Sequence, residues 1–147
     1  MSPPPRAEPN EQMIAFAALV LALAFPNASA ACPREKVTVR DEYRGSDVVV
    51  VGTVVRAAPV PLSRDFQEGT AYLVRVNETL KGKAPAQLRL FSENSGARFP
   101  MRVGTKYLLF IDHLERSVID NCGNSGTVAT RRQALATVRR LHQSRDR

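Results

Sequence analysis

Tryptophan is absent from this 147-residue chain, and six phenylalanines with three tyrosines are its only aromatic side chains. So thin a supply argues against a platform that stacks bases or sugars, which needs several exposed rings along one surface. Histidine occurs twice, at His113 and His142, and cysteine twice, at Cys32 and Cys122. Two sulfurs without a nearby histidine make a poor zinc site, and no C-x-x-C pair supports thiol redox chemistry. There is no phosphate-cradling glycine loop, no metal-ligand spacing and no internal repeat. Lysine is scarce too, at four against 17 arginines. Residues 31–147 carry 20 Lys+Arg against 12 Asp+Glu, a balance of +8. A charge of that size creates a salt-sensitive field toward acidic partners, and its ordinary use is solubility.

The patterns that invite a catalytic reading do not sustain one. Cys122-Gly-Asn-Ser-Gly126 is reminiscent of the glycine-flanked serine of chymotrypsin-like proteases. A serine nucleophile needs a base held by an acid, and neither histidine sits in such a motif. Asn124-Ser125-Gly126 is read as a turn. His113 beside Asp112 and Glu115 is read as a solvated bend. The chain is expected not to be an enzyme and to hold no cofactor or metal.

Residues 1–30 read as a cleaved leader. Met13–Phe25 is an uncharged apolar run of 13 residues, followed by Pro26 and then Ala28-Ser29-Ala30. This has the form of a signal-peptide core with a small-residue cleavage site. It falls short of the about 20 residues a membrane span needs, so no stable membrane insertion is expected. Cleavage after Ala30 or after Ala31 fits the pattern. Ser29, three residues before Cys32, counts against lipid attachment there. The reading is of an exported protein, periplasmic or secreted.

Export gives the two cysteines a meaning, because oxidising compartments favour disulfides. Only one intramolecular pairing exists, Cys32–Cys122. It would tie the mature amino terminus to the far end of the domain and close a loop for which chain entropy gives about 4–5 kcal/mol.

The rest reads as a compact β domain over residues 31–129 with a basic helix and tail over 130–147. Thr38–Arg44 carries a helix start, a hydroxyl cap with an acid three residues on, and Gly45 to end it. Asp47–Ala57 (DVVVVGTVVRA) reads as a strand buried on both faces, with Gly52 marking a bulge. Residues 58–69 read as a long loop. Thr70–Leu80 is a strand with Tyr72, Val74 and Val76 inward and Arg75 and Asn77 outward. Gln87–Ser92 is a third strand, residues 94–104 an irregular connection, and Lys106–Ile111 with Val118–Ile119 a closing hairpin. Thr130-Arg-Arg-Gln133 forms a capping-box pattern ahead of Leu135, Val138 and Leu141 at helical spacing. That helix is expected to pack on the sheet with its arginines solvated.

Taken together, DVVVVGTVV, the strand ending VNETLKG, FPMRVGTKYLLFI and DNCGNSG resemble the netrin-like module, which is also the inhibitory domain of the tissue inhibitors of metalloproteinases. The resemblance spans about Cys32–Thr127. It implies an OB-like, five-stranded closed β-barrel flanked by a short amino-terminal helix and a carboxy-terminal helix. It also implies a non-enzymatic binding module with a protein partner. The rim loops then become the contact surface, with Pro61, Arg64 and Phe66 in one and Arg98 and Phe99 in the other. The family's inhibitors coordinate a target protease's zinc through an amino-terminal cysteine. By that likeness Ala31, Cys32 and Pro33 would form an inhibitory terminus, with a metalloprotease as the partner. A third reading is an OB-fold binder of single-stranded nucleic acid. Export and the scarcity of aromatics weigh against it, so no nucleic acid is expected.

Overall fold

The structure is a computed structural model and describes Cys32, residues 37–115 and residues 117–145. The leader over 1–30, Ala31 and Pro33 lie outside the described residues. Seven elements follow in order: α1 (Val39–Gly45), β1 (Val48–Pro61), β2 (Gln67–Lys81), β3 (Gln87–Glu93), β4 (Lys106–Ile111), β5 (Gly126–Thr127) and α2 (Arg132–Arg145). The strands form one antiparallel sheet in the order β3-β2-β1-β4-β5.

β1 is the axis of this sheet: its first half pairs with β2 on one edge and β4 on the other, and apolar clusters lie on both its faces. Val48, Val50 and Val54 enter one apolar cluster with Tyr72, Val74, Leu88, Leu90, Phe99, Met101, Tyr107, Leu109, Ile111 and Ile119. Val49 and Val51 point the other way, into a second cluster with Tyr43, Leu80, Leu108, Phe110, Ala134, Leu135 and Val138. A strand wedged between two cores has no polar face, which is why its sequence is an unbroken valine run. Gly52 sits where the β1–β2 register shifts, and a Cβ there would stand 2.5 Å from Val74 Cγ1. Further shifts at Val49/Val50, Val54/Arg56 and Val60/Pro61 coil the ribbon.

The two helices close the second cluster. α1 is capped by Thr38, whose Oγ1 accepts from the Asp41 N–H at 3.2 Å. At its other end Lys81 Nζ donates to the carbonyls of Arg44 and Ser46, placing a cation against the negative end of the helix. α2 packs through Ala134, Leu135 and Val138, and Arg139 reaches Glu78 of β2 with two hydrogen bonds, the shorter 2.7 Å.

The structure corrects four expectations. The sheet is not a closed barrel. Its β3 edge meets the chain after β4 through a single parallel bridge, Phe91 to Val118, in which the Phe91 N–H donates to the Ser117 carbonyl at 2.7 Å. Val118–Ile119 therefore does not pair with β4, whose second neighbour is Gly126–Thr127. Strand β1 runs on to Pro61, so the connection expected over 58–69 shrinks to residues 62–66. The capping box at Thr130 does not form either. The Thr130 hydroxyl turns back to the Thr127 carbonyl at 3.1 Å, and the first helical acceptor is the Arg131 carbonyl.

Candidate functional site

One end of the molecule gathers most of the surface features singled out from the sequence. Beyond Val54 the outer edge of β1 has no partner strand among the described residues, and β1 continues to its tip as a ribbon with β2, which β3 flanks on its far side over Gly69–Arg75. Pro59 and Pro61 lie two residues apart on this free edge. Having no N–H to donate, proline is tolerated in a strand where nothing pairs with it, and there it also blocks strand addition. The tip closes with the N–H groups of Leu62 and Ser63 donating to the Phe66 carbonyl at 2.9 and 3.1 Å.

The tip is apolar where solvent touches it. Leu62 is 69 % exposed and Phe66 71 %, with Ser63, Arg64 and Asp65 between them. Side chains of this size are normally in a core, and two together on a turn form a surface suited to a partner. Pro61, Arg64 and Phe66 are thus all solvent-facing at this end. Leu62 escaped the sequence reading, although its place opposite Phe66 across a short polar stretch was the available signal.

The second loop lies against the tip end of this ribbon. The Asn94 N–H donates to the Glu68 carbonyl at 2.8 Å, and Asn94 Nδ2 reaches the Gln67 carbonyl at 3.3 Å. Arg98 is exposed and borders a small polar cleft with Gln67, Gly69, Thr70, Ser92 and Asn94. Phe99 does not belong to this surface. It is 8 % exposed and packs edge-to-face on Tyr107, with ring centroids 6.0 Å apart. Its N–H donates to Ser92 Oγ at 2.7 Å, which turns the chain inward at that residue.

The disulfide lies at the same rim. Cys32 is bonded to Cys122 across 90 residues of sequence. The neighbouring Asn121 N–H donates to the Ala97 carbonyl at 3.0 Å, so the disulfide sits beside the loop that carries Arg98. The Cys122 loop is also held from α1. Glu42 Oε2 accepts from the Asn124 N–H at 2.7 Å and from the Asn124 side chain, and Asn124 Nδ2 also reaches the Val37 carbonyl at 2.9 Å. Burial raises the Glu42 carboxyl above its ordinary value, against the lowering effect of the Asn124 donors.

The remaining chemistry-bearing residues serve the scaffold. Ser125 is buried, and its hydroxyl accepts from the Phe110 N–H at 2.9 Å, completing the edge of β4 where β5 has not yet begun. This serine is a structural acceptor, beyond the simple turn read from the sequence. Asp112 Oδ1 lies 2.9 Å from the buried Ser46 hydroxyl. Among the described residues no group of three His, Cys, Asp or Glu side chains is placed to hold a metal ion, and no helix is long and apolar enough to cross a membrane. Compared with protein-family models and with curated proteins, the chain matches none.

Proposed function

We propose that this chain is an exported binding module of the netrin-like type, which grips a protein partner with the tip of the β1–β2 ribbon and the adjoining 94–98 loop. The observation that carries this reading is the pair of large apolar side chains, Leu62 and Phe66, held in solvent on a ribbon whose edge is blunted by prolines. A surface of this kind is stabilised by being covered, and rigid strands beneath it keep the ordering cost of binding low. Export is supported by the disulfide, which suits an oxidising compartment. The family likeness draws support from the five antiparallel strands and from the lone parallel bridge at Phe91, since an OB-type sheet is only partly closed.

The test is a photo-reactive residue at position 64, between the two apolar side chains, with position 140 on α2 as the control. In cells exporting the protein, irradiation should give a discrete protein adduct from position 64 and none from 140. Equal labelling from both positions, or none from 64, overturns the reading.

Inhibition of a metalloprotease is the second reading, and one placement favours it: Cys32 is fixed beside the 94–98 loop, whose Asn94 meets the tip end of the ribbon. If Cys32 is the first residue of the mature chain, its α-amine and carbonyl oxygen would be presented to the partner's zinc. Amino-terminal sequencing of the exported protein decides this. A chain starting at Cys32 supports inhibition, whereas one starting at Ala31 removes the required amine.

A further inference from the structure

Beyond the helices, the face of the sheet they cover continues toward the ribbon as an apolar seam set among cations. α1 and α2 close over Val49, Val51, Leu80, Leu108 and Phe110. Further along β2 the same face presents Arg75, Leu73 and Ala71, while the intervening Tyr72 and Val74 are buried on the other side. Register places Arg56 of β1 and Arg89 of β3 on either side of Leu73, and Ala58 and Phe91 on either side of Ala71. Lys106, Thr53, Arg75 and Gln87 form the preceding row. The four cations and Ala71 are exposed, and Leu73, Ala58 and Phe91 are half-buried. The Phe91 ring lies over Gly69, where a Cβ would stand 2.5 Å from its Cζ, and so walls the seam toward the ribbon tip.

No acid stands in these rows. Sheets gain stability from opposite charges set across neighbouring strands, and this one forgoes that gain. Among the described residues none of the four cations makes an ion pair, and Glu78, further along β2, is already held by Arg139. The arginines are also spaced in a telling way. Arg56 and Arg89 stand two strand spacings apart, roughly 10 Å, which is about the width of one α-helix with its side chains.

We infer that this seam receives an acidic amphipathic α-helix of a partner protein. The helix lies along β2, with its apolar stripe on Leu73 and Ala71 and carboxylates on its two flanks meeting Arg56 and Arg89. Charge complementarity selects the acid, and guanidiniums take carboxylates through paired, charge-assisted hydrogen bonds. The face of a sheet offers no backbone partners, so a chain lying there must satisfy its own N–H and C=O groups, as a helix does. Ala58 and Ala71 are small enough to let it come close. The fold already uses this arrangement once, since α2 packs on the adjoining part of the same face through Ala134, Leu135 and Val138. A sulfated glycan would match the arginines but set its hydroxyls against Leu73 and the Phe91 ring. The site takes nothing from Leu62 or Phe66, so it stands apart from the proposed tip contact and does not rest on it.

The experiment titrates the full disulfide-bonded chain, at about 0.15 M salt, with two synthetic peptides of identical composition and follows fluorescence anisotropy. One carries leucines along one helical face and glutamates on its flanks, and in the other the order is scrambled so that no stripe forms. The striped peptide should bind saturably and more tightly than the scrambled one. Arg56→Gln/Arg89→Gln should weaken it roughly tenfold at an unchanged unfolding midpoint. The larger charge change on α2, Arg132→Gln/Arg140→Gln/Arg145→Gln, should leave it as in the wild type. Ala71→Lys separates seam from field: it adds a cation but fills the seam, so binding should fall. Binding that holds or rises in folded Ala71→Lys overturns the inference. So do equal affinities for the two peptides, equal losses in the two arginine variants, or no saturable binding up to about 1 mM. A heparin oligosaccharide that binds more tightly than the striped peptide overturns it as well.

Discussion

The two halves of β1 make opposite use of the same kind of residue. From Val48 to Val54 its valines are buried in two clusters, one on each face of the sheet. From Val55 to Pro61 the strand keeps its hydrogen bonds to β2 but has lost β4 on one edge and the helices on one face. The first half makes the domain stable. The second half, with its tip, presents apolar surface that folding leaves uncovered, the surface on which the proposed contact rests. The lesson is that ladder hydrogen bonds alone do not define a core: what separates the halves is coverage.

That contrast can be broken by substitution, and the largest effects should fall on the buried side. Removing the disulfide with Cys32→Ala/Cys122→Ala should lower unfolding stability by about 4–5 kcal/mol on the chain-entropy estimate, read by denaturant unfolding. Leu109→Ala, at a fully buried position in the first cluster, should cost about 3–5 kcal/mol in the same measurement. Ser125→Ala strands the buried Phe110 N–H and should cost about 1–3 kcal/mol, with faster amide exchange at Phe110 than in the wild type.

The half-buried Glu42 gives a smaller, pH-dependent effect. Its folded pKa is raised, so the stability it lends is fully present below its unfolded value and is lost as pH rises through the folded one. Relative to Glu42→Gln, the wild type should therefore gain stability as pH falls from neutral into the range just above 4.5. A difference that stays flat across that range would remove burial as the dominant influence on this carboxyl. At the presented end, Leu62→Ser/Phe66→Ser should change stability by less than about 0.5 kcal/mol, because both side chains are already in water.

Local signals were legible where local physics decides. Lys106–Ile111 and the Thr38-capped helix follow from turn residues, caps and an apolar run, and the valine strand announces its two-sided burial. The continuation of β1 through Pro59 and Pro61 was hidden, because two prolines read as a loop unless the missing pairing partner on that edge is known. Phe99 looked like a loop residue for a similar reason: its burial depends on Tyr107 and Ser92, which only the fold brings to it. Val118–Ile119 has the composition of a strand, yet it bridges β3 once and leaves the edge of β4 to Ser125 and β5. The cationic sheet face was invisible as a patch, since Arg56, Arg75, Arg89 and Lys106 come from four strands and meet only through register.

The most direct test of the division of labour is cross-linking from position 64 in the Leu62→Ser/Phe66→Ser background, on protein whose unfolding midpoint has been measured. The account predicts a wild-type midpoint and loss of the adduct. An adduct that survives on the folded variant, or a midpoint that falls as far as that of Leu109→Ala, would contradict it.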